Sequence, residues 1–281
     1  ADLLLLELGL YKIYNVIRSK DKYKEEIITY SIKLFEYQRK VSIPDSNKYK
    51  KGYNFLFVQN TNNFNPNNKK DLINIYYTII NSGWSEFTFY CKSKYPTCVD
   101  DVKDMANDQT LLSHLNNFAN PLNSYSEIST QYDSLGTITV NIKKTYDAVT
   151  KIAVEKKVAA IYSNIVKDNM TTKDKIKVIH DYIINKTQYD SERINNNIIK
   201  YRSDTSYGVL FNGYGLCSGY ADTMAIFLNI MGLKNYKIAS EKHVWNFVNV
   251  DNTWYHLDVS WDDPAPPPGS SEDILDDTFF L

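Results

Sequence analysis

The chain has 281 residues, 32 basic against 33 acidic side chains, a net charge of -1, 43% hydrophobic and 14% aromatic residues, and three cysteines. Balanced charge leaves no whole-molecule field to attract nucleic acid or an anionic membrane. Three cysteines cannot build a disulfide scaffold, and 10 glycines with 8 prolines exclude collagen-like and low-complexity chains.

The most apolar start, Leu3 to Leu10, is interrupted by Glu7 and Gly9 and falls far short of the ~20 residues a membrane span needs. It lacks a basic n-region, so it does not read as an intact signal peptide. Asp21 to Val41 is patterned as a helix, with Ile27, Tyr30, Leu34 and Tyr37 at near-helical spacing. Tyr53 to Val58 is β-prone, and TNNFNPNN after it is a turn-rich loop. Asp71 to Ile80 predicts a helix, Phe87 to Tyr90 a buried strand, and the alternation TITVNI over Thr137 to Ile142 a half-buried strand. These elements predict an α+β module over residues 1–149, with no role assigned.

Cys91 and Cys98 flank KSKYPT, with Pro96 at a turn. Thiols this near can bridge if the chain doubles back, which would suit an oxidising compartment; the alternative is two free thiols in a reducing cytoplasm.

The texture changes near residues 145–150, the expected boundary between 1–149 and a second unit over 150–281. Ala148 to Val166 is a long helical pattern, and Thr171 or Thr172 caps a further helix with Asp174 in its first turn. Ile176, Ile179, Tyr182 and Ile183 form its apolar stripe, and His180 on it reads as packed or solvated rather than catalytic. A polar loop spans Ser191 to Tyr207.

Cys217 follows a glycine-rich turn (Gly213, Gly215, Gly219 nearby) and begins a helix with Tyr220, Met224, Phe227, Leu228 and Met231 on one face, ending at Gly232. A helix N-terminus stabilises a thiolate through the macrodipole and unpaired N–H groups. KHVWNFVNVDNTWYHLDVSWDDP reads as two strands joined by Asp251-Asn252. That turn makes Val250 oppose Thr253 and sets His243 and Asp258 as diagonal neighbours on one face, roughly 7–8 Å apart by backbone. A one-residue slip would separate them. The spacing permits a Cys217-His243-Asp258 triad of nucleophile, acid/base and orienting carboxylate. His256, on the same face, competes for the base role. The three residues match no usual metal-ligand spacing, and neither metal nor cofactor is expected.

YGVLFNGYGLCSGYA, HVWNFV and WYHLDVSWDDP resemble the core of the transglutaminase-like superfamily in its bacterial branch, and the upstream IHDYIINKTQYD resembles the helix and Tyr-Asp pair before it. The resemblance covers residues ~150–264. It implies a papain-like α+β core, a nucleophile helix packed on an antiparallel sheet, with Cys217, His243 and Asp258 in the roles above. It implies acyl transfer on a carboxamide or peptide carbonyl through a thioester resolved by water or an amine; a scaffold that retains the fold without activity is the alternative. The Cys217 backbone N–H and the Tyr189 hydroxyl are the oxyanion candidates, with Tyr207 and Asn212 as rivals. Tyr207, Trp245, Trp254 and Trp261 are candidate walls of the cleft.

No Lys or Arg follows Lys242, while residues 243–281 hold eight acids, so the tail carries -8 and residues 1–242 carry +7. One reading is solvated loops; the other is an acidic rim, with Asp262 and Asp263, beside an amine-bearing protein or peptide substrate. No nucleic-acid partner is expected, and nothing indicates an oligomeric state. Export or surface attachment is expected from the resemblance, with a cytoplasmic location as the alternative. Ending at Phe279-Phe280-Leu281 without a polar tail, the native protein is expected to continue.

Overall fold

The computed structural model describes residues 65–264 and 277–281. The expected helix over 21–41, the strand over 53–58, the apolar start, the first half of the turn-rich loop, and the acids Glu272, Asp273 and Asp276 lie outside the described residues. The architecture is α+β, with two hydrophobic clusters that meet along one strand.

In the first cluster, helix α1 (Lys69–Asn81) begins where the Asn68 side chain accepts the Asp71 N–H at 3.0 Å. Leu72, Ile75, Tyr76, Ile79 and Ile80 on it are fully buried, each contributing roughly 1.5–3 kcal/mol where the side chain is aliphatic. Strands β1 (Glu86–Tyr90), β2 (Tyr125–Tyr132) and β3 (Thr137–Lys144) form an antiparallel sheet in the order β1-β3-β2. Phe87 opposes Val140 and Phe89 opposes Ile138, so the apolar half of each alternating pattern falls on one face. β1 is thus half-buried rather than wholly buried, with Glu86 and Tyr90 exposed. Helices α2 (Cys98–Asn107) and α3 (Gln109–Phe118) contribute Val102, Met105, Leu112 and Leu115 to the same core; with β2, they are elements that no sequence pattern above marks. Cys91 and Cys98 are joined as a disulfide with Cα atoms 5.5 Å apart, tying the end of β1 to the first residue of α2.

The second cluster opens with α4 (Ala148–Ile165), capped by Asp147, and α5 (Thr172–Ile184). Thr171 and Asp174 form a reciprocal capping box, so Thr171 rather than Thr172 is the cap. Ile176, Ile179, Ile183 and Ile184 are buried, while Tyr182 lies at the margin of the stripe. After β4 (Gln188–Tyr189) the expected polar loop contains a short helix, α6 (Ser191–Asn196), because the Asp190 side chain caps it at the Arg193 N–H. A single π-helical turn over Gly208–Asn212 leads to β5 (Tyr214–Gly215), parallel to β4. Helix α7 (Cys217–Ile230) is buried on nearly every side and packs on a second antiparallel sheet of β6 (Asn235–Ala239), β7 (Val244–Val250) and β8 (Thr253–Leu257).

Beneath α7 an ion pair is sealed from water. Lys237 Nζ lies 2.5 Å from Asp222 Oδ1, and the Tyr146 hydroxyl donates to Asp222 Oδ2 at 2.8 Å. The two clusters join where the Tyr236 ring of β6 stacks on Phe118 of α3, centroids 4.4 Å apart. Among the described residues, no helix is long and apolar enough to cross a membrane.

Candidate active site

Two glycines let the chain deliver Cys217 to the first position of α7. A Cβ at Gly219 would collide with the Ser203 carbonyl, and one at Gly215 with the Tyr220 ring. The Leu216 N–H donates to that same Ser203 carbonyl at 2.7 Å, fixing the residue before the cysteine. Cys217 is a free, half-buried thiol, not sealed within the core.

The other two groups come from the β7–β8 hairpin. Asp251 and Asn252 adopt φ of 51° and 67°, the left-handed pair of a type I′ turn whose twist matches the strands. Val250 opposes Thr253, Asn249 opposes Trp254 and Phe247 opposes His256, the register expected from the sequence. The ladder ends at Asn246–Leu257, so Asp258 does not pair with Trp245, nor Ser260 with His243. There the chain turns instead: Asp258 Oδ1 accepts the Ser260 hydroxyl at 2.9 Å and the Trp261 N–H at 3.2 Å, a local bonding pattern that competes with the strand. The turn leaves Asp258 Oδ2 2.6 Å from His243 Nε2.

With Nε2 on the carboxylate, the other ring nitrogen of His243 serves the thiol. Burial pushes the Cys217 thiol up, but its hydrogen bond to His243, the backbone amides of Val244 and Ser218, and the charge of the imidazole outweigh burial and hold it below the ordinary thiol value. His243 is pushed up to about 9, chiefly by the hydrogen bond to Asp258 and then by that to Cys217, against the effect of burial. Both shifts favour a thiolate–imidazolium pair.

The Trp245 and Trp261 rings stack on the imidazole, with centroids 5.6 and 5.0 Å away. Next to it lies a cavity of about 640 Å³ whose walls include Trp245, Trp254, Trp261, His256 and Phe279. Among the described residues, no Lys or Arg lines it, and neither does Cys217; His243 touches the thiol and lines the cavity.

Tyr189 is half-buried on β4, and burial, followed by the charges of Cys217 and Asp258, raises its hydroxyl above the ordinary value. Tyr207 stacks on Phe211 at 4.6 Å under the Arg202 guanidinium and does not line the cavity. Asn212 is turned to the Tyr201 carbonyl at 2.7 Å. His256 takes a hydrogen bond from Trp245, not a place beside the thiol.

The acidic-rim reading fails at its two central residues. Asp262 and Asp263 are fully buried, because Asp262 Oδ2 meets His180 Nε2 at 3.0 Å and Asp263 accepts the Tyr220 hydroxyl. His180 is buried on α5, with Asp181 on its other nitrogen at 3.0 Å. Asp262 Oδ1 accepts the Phe279 N–H at 2.8 Å, and the Phe279 carbonyl accepts the Asp258 N–H at 3.1 Å, so this buried pair anchors one wall of the cavity. Sequence reasoning overlooked that link and the part played by Ser260, although a serine two residues after an aspartate is a turn signal. Among the described residues, no group of three or more His, Cys, Asp or Glu side chains could hold a metal ion.

Residues 159–259 match the family model described as the transglutaminase-like superfamily core. No curated protein sequence matches the chain. Among solved structures, a TGase aligns over 59% of this chain and 50% of its own, with 16% identity and a TM-score of 0.38. A candidate cysteine protease from Cytophaga hutchinsonii aligns over 53% of this chain and 65% of its own, with 12% identity and a TM-score of 0.30. The chain thus spans between half and two thirds of the structures it resembles.

Proposed function

Taking residues 159–259 as a transglutaminase-like core, we propose that the chain is a cysteine-dependent acyl-transfer enzyme, with Cys217 as nucleophile, His243 as acid/base and Asp258 as the carboxylate that orients it. The observation that carries this reading is the 2.6 Å contact from His243 to a buried Asp258, joined to a thiol held below its ordinary value. In the first half-reaction the Cys217 thiolate attacks a carboxamide carbonyl. The tetrahedral oxyanion is met by the Cys217 N–H and the Tyr189 hydroxyl, and it collapses as His243 gives its proton to the departing amine or ammonia. A thioester remains. In the second half-reaction a nucleophile attacks that carbonyl, passes a proton to His243, and the C–S bond breaks to restore the thiolate–imidazolium pair.

The cavity favours an amine over water as this nucleophile. Aromatic faces attract an ammonium group, and among the described residues no Lys or Arg lines the walls, the His243 imidazolium giving up its charge to the leaving group before the second nucleophile attacks. The disulfide between Cys91 and Cys98 supports export or surface attachment, where such bridges persist.

Alkylation by iodoacetamide tests the machinery. Cys217 is expected to react at neutral pH at least about tenfold faster than an ordinary thiol, and His243→Ala to remove that excess. Ordinary reactivity in the wild type would leave the inactive scaffold as the correct reading.

A further inference from the structure

His256 lies two residues before Asp258 on the sheet face that carries His243 and Trp245, and it lines the aromatic cavity. Its Nδ1 is 2.9 Å from Trp245 Nε1. An indole nitrogen can only donate, so Nδ1 accepts and the ring's single hydrogen sits on Nε2. Among the described residues, no hydrogen bond to Nε2 is formed. Locked in this tautomer, His256 cannot take a proton from an incoming amine at Nε2, and at Nδ1 it could do so only by giving up Trp245. It is a fixed donor facing a ligand space, not a second base.

Several other polar groups of the cavity are engaged or adaptable. The Ser240 hydroxyl donates to the His243 carbonyl, Asp258 holds His243, Ser260 and the Trp261 amide, and Thr278 is a hydroxyl able to donate or accept. His256 is exposed at the cavity, so its Nε2–H is open to a ligand's acceptor oxygen in place of water. His243, hydrogen-bonded to the thiol, lines the same cavity as His256, so an amine that reaches the thioester past His243 can hold an oxygen in the space that His256 borders.

We propose that His256 is a specificity-determining residue that selects amines bearing a nearby carbonyl oxygen, the chemistry of an amino-acid amide or a peptide N-terminus, over plain alkylamines. The inference rests on the amine-resolved acyl transfer proposed above.

The test acylates the full chain with a p-nitrophenyl ester and measures by mass spectrometry how the acyl group partitions among water, glycinamide and n-propylamine. The intrinsic reactivities of the two amines are common to all variants and cancel when their partition ratio is compared between proteins. The glycinamide-to-propylamine ratio is expected to fall about three- to tenfold in His256→Phe, the range of one lost hydrogen bond, and to recover in part in His256→Gln, whose amide can donate. Equal ratios in wild type and His256→Phe would overturn the inference and leave the amine reading intact. Transfer to water alone would overturn both.

Discussion

At the scale of single residues, the chemistry depends on how two proton affinities are moved toward each other. Cys217 is lowered although burial opposes it, and His243 is raised to about 9 mainly by Asp258. The signs give a definite pH dependence. The thiolate forms as pH rises through the lowered thiol value and keeps its imidazolium partner until pH passes about 9. Alkylation of Cys217 is therefore expected to reach half its maximum at a lower pH than the ~8.5 of a free thiol. Turnover, which also needs the imidazolium proton for the leaving group, is expected to fall above pH 9. In Asp258→Asn the largest cause of the histidine shift is gone, so the alkaline limb is expected to move down toward neutrality and kcat to drop by about two to four orders of magnitude. A pH–rate profile of both proteins measures this; an unmoved alkaline limb would mean that Asp258 does not set the histidine.

At the scale of elements, the hairpin is the critical part, since one residue of slip would turn Asp258 away from His243. Its register is held by two consecutive non-glycine residues in left-handed backbone, Asp251 and Asn252. Short polar side chains tolerate that conformation, and a β-branched one does not. Asn252→Val is expected to cost about 1–2 kcal/mol in urea denaturation and to slow Cys217 alkylation, because the strands that present His243 and Asp258 lose their shared turn. Full stability in this variant would show that strand packing, not the turn, sets the register. The hairpin turn and the capped start of α5 were legible because both are local, although the choice between Thr171 and Thr172 as cap was left to the structure. Asp251-Asn252 between alternating strands, and Thr171 three residues before Asp174, are signals within a few residues of the structure they specify. Helices α2 and α3 were not marked although Cys98, Val102 and Met105, and Leu112, Leu115 and Phe118, recur at helical spacing; each helix is only ten residues long, and its buried face is completed by packing within the first cluster.

At the scale of the whole molecule, the two hydrophobic clusters share a narrow seam. Tyr236 spans it, stacking on Phe118 of the first cluster while meeting Phe247 and Trp254 of the second sheet at 5.4 and 5.5 Å. Removing that ring deletes contacts on both sides at once. Tyr236→Ala is expected to lower the melting temperature and to split a single calorimetric transition into two, one for each cluster. A single transition retained at lower temperature would place the coupling elsewhere along the seam. The same long-range logic governs the acidic end of the chain. By count it offers a -8 field, yet Asp258, Asp262 and Asp263 are buried and matched to His243, His180 and Tyr220.

The sequence by itself determined the helix that begins at Cys217, the turn and register of the β7–β8 hairpin as far as Asn246 and Leu257, and the proximity of Cys91 and Cys98. Each follows from turn chemistry, periodicity or short separation, which act over a few residues. Only the tertiary structure decided which acids meet a partner instead of solvent, which nitrogen of His256 carries its hydrogen, and where the aromatic cavity lies. These depend on groups far apart along the chain, such as His180 and Asp262, 82 residues apart. Whether such groups meet is set by how the helices and sheets pack, and no local pattern records it.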